Sequence, residues 1–349
     1  MILYLKELPI KAVIIVAAFT VLVLLSVYSM ILNWPQHNDY GSVKVTIPRG
    51  ATLNDIADSL ESSRIISNKK MFLMAVKLSG NEKDIPAGRF TFTDPANNNI
   101  IIEQLINGSP LKKKVTILEG WTIKQVAAHL SKTLSIDESE FLHLCYDEQF
   151  IRQLGLPGET AEGFLFPDTY YFFEGEDATS LIGKLVGEYR KVITEARIKR
   201  AGDLGFTELE WITLASIIEG EAIYNDERSR ISGVYHNRLT RNMRLQADPT
   251  IQYIIEDSPR RLLNKDLKIE SPYNTYLNNG LPPGPINNPG KESIIAAIYP
   301  ENNDYLYFVA RGDGYHTFSR NQAEHNKAKR KFQQVRRKVW REKMKASNN

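Results

Sequence analysis

Two glutamates close an apolar run, Leu209-Glu210-Trp211-Ile212-Thr213-Leu214-Ala215-Ser216-Ile217-Ile218-Glu219-Gly220-Glu221. At about 100° per residue, Glu219 projects between Ala215 and Ile212, inside the apolar arc. Thr213, Ser216 and Gly220 share the polar arc. A carboxylate on the buried side of a helix end is costly unless it is paired or functional. Burial also strengthens a carboxyl group's hold on its proton, which suits a general acid at neutral pH. The same placement fits a structural carboxylate neutralised by Arg228, Arg230 or Arg238. Glu221 lies roughly 200° further round, so a regular helix cannot aim both acids at one point unless Gly220 ends it.

A second set of chemistry-bearing residues follows the next predicted helix, 228–239. It includes Gln246 and Asp248, then Tyr273, Asn274 and Thr275, then Asn287 in a loop rich in Pro, Gly and Asn at 280–290. Proline fixes backbone, so this is a shaped loop rather than a slack linker. Amides can meet hydroxyl and acetamido groups, and tyrosine can lie against a pyranose ring. These six are the substrate-contact candidates, with ordinary turn formation as the alternative reading. Long loops of this composition tend to carry function.

The elements that position these residues are partly legible. A helix is expected over 181–201. A repeat stands upstream: Val45-Thr46-Ile47-Pro48-Arg49-Gly50-Ala51-Thr52-Leu53 returns seventy residues later as Val115-Thr116-Ile117-Leu118-Glu119-Gly120-Trp121-Thr122-Ile123. Each copy reads as strand, glycine turn and helix, with Thr52 and Thr122 as N-caps. Such modules either contact a ligand or act as spacers. Between them, residues 85–92 alternate like a strand, and the aromatic segment 162–173 reads as a buried strand or packing hinge.

Residues 12–32 form an uncharged run of 21. A helix needs about 20 residues to span roughly 30 Å of hydrocarbon. No small-x-small cleavage site follows, so the run reads as an uncleaved anchor. Lys6 and Lys11 precede it, which places the tail 1–11 in the cytoplasm and the rest outside. A net charge of +3 gives no case for nucleic acid. The single cysteine, Cys145, excludes an internal disulfide, and no zinc spacing, phosphate loop or nucleophile elbow occurs. Neither a metal nor an organic cofactor is expected. The basic segment 327–345 reads as a solvated helix face, with contact to anionic lipid or wall polymer as the alternative.

These motifs together resemble the MltG (YceG-like) endolytic murein transglycosylase family. The resemblance rests on Ala215-Ser216-Ile217-Ile218-Glu219-Gly220-Glu221-Ala222, on Leu245-Gln246-Ala247-Asp248-Pro249-Thr250, on the segments 271–276 and 280–290, and on the late Tyr305–Ala310, His316–Ser319 and Glu324–Asn326. Gly220 stands where that family commonly has lysine, and Tyr315 where it usually has glycine. The resemblance implies an α+β chain: one transmembrane helix, two small LysM-like strand–helix modules over 41–160, and a mixed α+β catalytic domain over 161–349. It further implies a lytic transglycosylase with Glu219 as acid and base, acting on peptidoglycan strands from the outer face of the bacterial cytoplasmic membrane, beside proteins of wall synthesis. A hydrolytic muramidase, using Asp248 or Glu221 to activate water, and a non-catalytic wall-binding scaffold are the alternatives.

Overall fold

A computed structural model of the chain describes residues 10–36, 42–48, 50–82, 84–93, 97–106, 112–173, 176–256 and 258–347. Lys6 and the first nine residues of the expected tail lie outside the described residues, as does Arg49. The first helix, α1 (Ile10–Leu32), contains an apolar stretch, Ala12–Leu32, long enough to cross a membrane. Residues 13–30 are all exposed.

The chain divides into two compact units: Met1–Lys114 with Tyr171–Asp177, and Val115–Tyr170 with Ala178–Asn349. In the first, β1 (Ser42–Ile47), α2 (Leu53–Ser62), α3 (Lys69–Ser79), β2 (Gly88–Thr93) and α4 (Asn98–Ile106) enclose one core. β1 and β2 pair antiparallel, with Val45 opposite Phe90 and Ile47 opposite Gly88. Alternation turns Val45, Ile47, Phe90 and Phe92 inward, towards Leu60, Phe72, Val76 and Ile101. The end of α1 is tied to this core. Ile31 is buried in it, the Asn98 Nδ2 donates to the Ile31 carbonyl at 3.0 Å, and Gln36 Nε2 donates to Asn98 Oδ1 at 2.6 Å.

The second unit begins within β3 (Lys112–Thr116). Along the chain there follow α5 (Ile123–Leu134), α6 (Glu138–Tyr146), α7 (Glu148–Gln153), β4 (Thr169–Phe173), whose last three residues belong to the first unit, α8 (Ala178–Val192), α9 (Glu195–Asp203), α10 (Glu208–Glu221), α11 (Asn225–Thr240), α12 (Asp248–Ile254), α13 (Lys291–Ile298), β5 (Tyr307–Ala310), β6 (His316–Ser319) and α14 (Gln322–Ser347). β3 pairs with β4, and β5 with β6. The repeat is structural as well as sequential. In both copies a strand leads through a glycine at positive φ, Gly50 (+80°) or Gly120 (+77°), into a helix closed by a reciprocal capping box, Thr52 with Asp55 or Thr122 with Gln125. The first copy belongs to the first unit, the second to the second.

The single helix expected over 181–201 is two. Thr194 adopts an extended conformation and its side chain accepts from the Arg197 N–H, starting α9 afresh. The β-branched run Val192-Ile193-Thr194 gives up helix readily, and the threonine hydroxyl stabilises the new start.

α10 is the central helix of the second unit. Trp211 to Ile218 are all buried, so Thr213 and Ser216 on its polar arc do not meet water, whereas Gly220 is exposed. Ser216 Oγ donates to the Thr213 carbonyl at 2.8 Å and accepts from the Ile286 N–H at 3.0 Å, which seats the 285–290 loop on that arc. Trp211 Nε1 donates to the Ile294 carbonyl at 2.7 Å, joining α10 to α13. Burial of Ile212, Leu214, Ile217 and Ile218 contributes about 1.5–3 kcal/mol for each side chain before the entropy of ordering is subtracted. The helix continues through Gly220 to Glu221. A Cβ at position 220 would lie 2.6 Å from the Pro249 Cβ, so a side chain there would require the start of α12 to shift.

Candidate active site

Glu219 lies in the last turn of α10 with a side chain only 6 % exposed. Its two oxygens have separate partners. Oε1 meets Arg228 Nη1 at 3.1 Å, and Oε2 accepts from the Gly290 N–H at 3.0 Å. Arg228, from the start of α11, is 5 % exposed. Its Nε donates to Asn225 Oδ1 at 3.0 Å and its Nη1 also donates to Ser293 Oγ. Gly290 caps the N-terminus of α13, where helix ends favour negative charge. Of the three arginines named as neutralising partners, Arg228 is the one that pairs. Arg230 binds Glu301, and Arg238 donates to the Leu306 and Leu245 carbonyls.

A second carboxylate stands at the same guanidinium. Glu119 Oε2 lies 3.7 Å from Arg228 Nη2, and its side chain is half exposed. Burial, then the charge of Glu219, holds its carboxyl above the usual range, while Arg228 pulls the other way. A Cβ at Gly290 would fall 2.0 Å from Glu119 Oε1, so a side chain there would displace the Glu119 carboxyl. Glu119 belongs to the glycine turn of the second repeat copy, and Gly120 approaches the Glu219 Cγ. Neither Glu119 nor Gly290 stood out in the sequence. Glu119 is a hundred residues from Glu219, and only the turn of the repeat marks it.

That turn is held by Asn288. The Gly120 N–H donates to the Asn288 carbonyl at 2.9 Å, and the Asn288 N–H and Nδ2 both donate to the Trp121 carbonyl at 2.8 Å. Asn288 Oδ1 accepts from the N–H groups of Gly163 and Leu165 at 3.0 and 2.9 Å. Behind it, the wholly buried Glu162 accepts from the Ile123 N–H at 3.0 Å. Burial pushes the Glu162 carboxyl up to about 8.

Glu221 has other company, as its place on the helix requires. Tyr235 Oη donates to it at 2.9 Å, and burial, aided by the charge of Asp248, pushes it up to about 7. Asp248 is exposed and accepts from Tyr276 Oη.

The substrate-contact candidates divide. Gln246 is exposed, in a left-handed backbone conformation at φ +49°, with its N–H on the Thr275 carbonyl. Tyr273 is half-buried and packs on the Tyr253 ring. Asn287 Nδ2 donates to the Ser216 carbonyl at 2.9 Å, and its buried Oδ1 has no hydrogen-bond partner. Asn274 and Thr275 do not fit the expectation of substrate contact. Asn274 is fully buried: its Nδ2 donates to the Leu267 and Ile269 carbonyls and its Oδ1 accepts from the Tyr276 N–H. Thr275 Oγ1 accepts from the Ala247 N–H at 3.0 Å and contacts Thr250 Oγ1. Both side chains are spent on shaping the loop.

Asn274→Ala would strand two carbonyls and one N–H, so it is expected to lower unfolding free energy by about 1–3 kcal/mol in a denaturant titration. An unchanged midpoint would return this asparagine to the substrate-contact group. Glu162 yields a pH test. Its folded-state value lies above the ordinary 4.5, so its stabilising contribution is complete below that value and is lost as pH rises through about 8. Glu162→Gln should therefore flatten the fall in melting temperature across that window; an unaltered slope would mean that Glu162 does not titrate there.

The YceG-like family matches residues 45–331. An endolytic murein transglycosylase of Bacillus subtilis (strain 168) is 34% identical over 306 residues, covering 83% of this chain and 85% of its own length. An endolytic murein transglycosylase of Streptococcus pneumoniae serotype 2 is 30% identical over 319 residues; the match takes in 82% of this chain but only 57% of that longer protein. A crystal structure of a yceG-like protein from Listeria monocytogenes superposes with a TM-score of 0.57 at 33% identity, over 82% of this chain and 98% of that one. With a family match running from the first strand to the last helix, over a fold shared with a solved member, this chain belongs to the YceG-like family.

Proposed function

We propose that the chain cuts peptidoglycan glycan strands internally as a lytic transglycosylase, with Glu219 as general acid and base. The observation that carries this reading is the enclosed Glu219, held between Arg228 and the Gly290 N–H, in a chain whose relatives bear the name endolytic murein transglycosylase. The bond cut is the β-1,4 link between N-acetylmuramic acid and N-acetylglucosamine. The Glu219 carboxyl gives its proton to the leaving oxygen as the C1–O bond breaks. The resulting carboxylate then takes the proton of the muramic C6 hydroxyl as O6 bonds to C1, leaving a 1,6-anhydro end. One carboxyl group serves both steps because acid and base roles reverse within the cycle. Arg228 and the Gly290 N–H suit the carboxylate that exists between the steps. Gln246, Asp248 and Tyr273 are the candidates for contact with the strand, and Asn287 keeps the 285–290 loop against α10. Two carboxylates are the rule in glycoside hydrolysis. The elevated Glu221 beside Asp248 is a feature that favours a water-using alternative.

In the same reading α1 is a membrane anchor with the units on its outer side, as Lys6 and Lys11 suggest by the positive-inside rule. The two strand–helix copies are LysM-like modules serving the same glycan, and wall-synthesis proteins are its neighbours.

Glu219→Gln keeps shape but can neither deliver nor accept the proton. It is expected to remain folded, still co-sediment with sacculi, and lose about 10²–10⁴ in rate or more. Wild-type products should end in 1,6-anhydromuramic acid and take up no ¹⁸O from labelled water. Labelled reducing ends would establish hydrolysis instead, and full activity in the variant would remove Glu219 from the role. The protein should also stay in the membrane fraction through a carbonate wash; release at reduced mass would show that α1 is cleaved.

A further inference from the structure

One oxygen of Glu219 forms an ion pair with a guanidinium and the other accepts a hydrogen bond from a backbone N–H at a helix start. Such partners favour the ionised form. The first chemical step needs the protonated form. Something at the site must oppose them, and the only other carboxylate that the structure places on Arg228, among the described residues, is Glu119.

We propose that Glu119 is a positioning residue of this reaction, forming with Glu219 a single proton-holding pair across Arg228. The inference rests on Glu219 being the acid and base. Three observations on Glu119 support it. Its carboxyl reaches Arg228 Nη2 while Glu219 holds Nη1, so one cation faces two acids. It lies against Gly290, the residue whose N–H binds the other Glu219 oxygen, so closely that a Cβ there would displace it. And the turn that presents it is fixed by Asn288 on one side and a positive-φ glycine on the other. The matching turn of the first repeat copy has Arg49 at this position, so the strand–turn–helix module does not itself require an acid there.

Like charges sharing one counter-charge do not both ionise freely, and their protons come off as properties of the pair. The groups facing Glu119 are Glu219 from α10, Arg228 from α11 and Glu292 from α13. Burial and the two glutamates raise its carboxyl above the usual range, and Arg228 acts in the opposite direction. With Glu119 present, Arg228 is divided between two carboxyl groups. Without it, Arg228 would serve Glu219 alone.

The test is a pH profile of kcat and KM on defined glycan strands, using the full chain in detergent. Glu119→Gln should lower kcat about tenfold and shift the alkaline limb of the kcat profile down by about one pH unit, with KM within about twofold of wild type. Glu119→Asp should recover most of the rate, and the melting temperature should hold in both. A raised KM with kcat preserved would make Glu119 a strand contact, and loss of melting temperature in both variants would make it a fold residue; either result overturns the proposal. A second readout does not need turnover. With carboxyl-¹³C glutamate, and the Glu119 signal assigned by its absence in Glu119→Gln, the titration midpoint of Glu119 should move to lower pH in Glu219→Gln. An unmoved midpoint would end the pair. Absence of anhydro products from the wild type would instead fell the transglycosylase reading, leaving the titration to decide the coupling.

Discussion

The candidate site depends on one buried amide. Asn288 joins the turn at 120–121, the segment at 163–165 and the loop that supplies Gly290, through both ends of its side chain and both polar groups of its backbone. Each of those segments would otherwise carry buried backbone groups with no partner, at a cost of about 1–3 kcal/mol for each group. Since it is fully buried, water cannot substitute for it. Remove the side chain, and the Glu119 turn and the Gly290 N–H lose their common fixed point.

Electrostatics is layered on that scaffold. Arg228 is nearly inaccessible, and its guanidinium is satisfied by Asn225, Ser293 and Glu219, with Glu119 at the margin. A buried arginine in this position is costly unless matched by charge. Two carboxylates leave the cluster with a surplus of negative charge, which bound protons or a bound strand must manage. Glu221, one turn-step away, is separated from this cluster by helix geometry and has its own set of partners in Tyr235 and Asp248.

Much of this was legible in the chain. The apolar placement of Glu219, the capped starts at Thr52 and Thr122, and the strand near Phe90 all follow from periodicities that local physics enforces. What escaped reading was decided at long range. Asn274 and Asn287 are the same residue type in loops of the same composition, yet one is wholly consumed by its own turn and the other braces a helix. An amide's donors and acceptors suit a ligand and a turn equally, so type and spacing could not separate them. The break at Thr194 was hidden because the amphipathic pattern continues across it. Glu119 was hidden because nothing local distinguishes a glutamate in a surface turn from one folded against a distant helix end.

The order of these segments along the chain has a bearing on biosynthesis. Glu119 is made early, Glu219 and Arg228 later, and Gly290 and Ser293 later still. A nascent chain emerging from its N-terminal end acquires its acid long before it acquires the backbone N–H and the hydroxyl that complete the pocket around it. The surroundings of Glu219 are complete only when nearly three hundred residues have been delivered and packed.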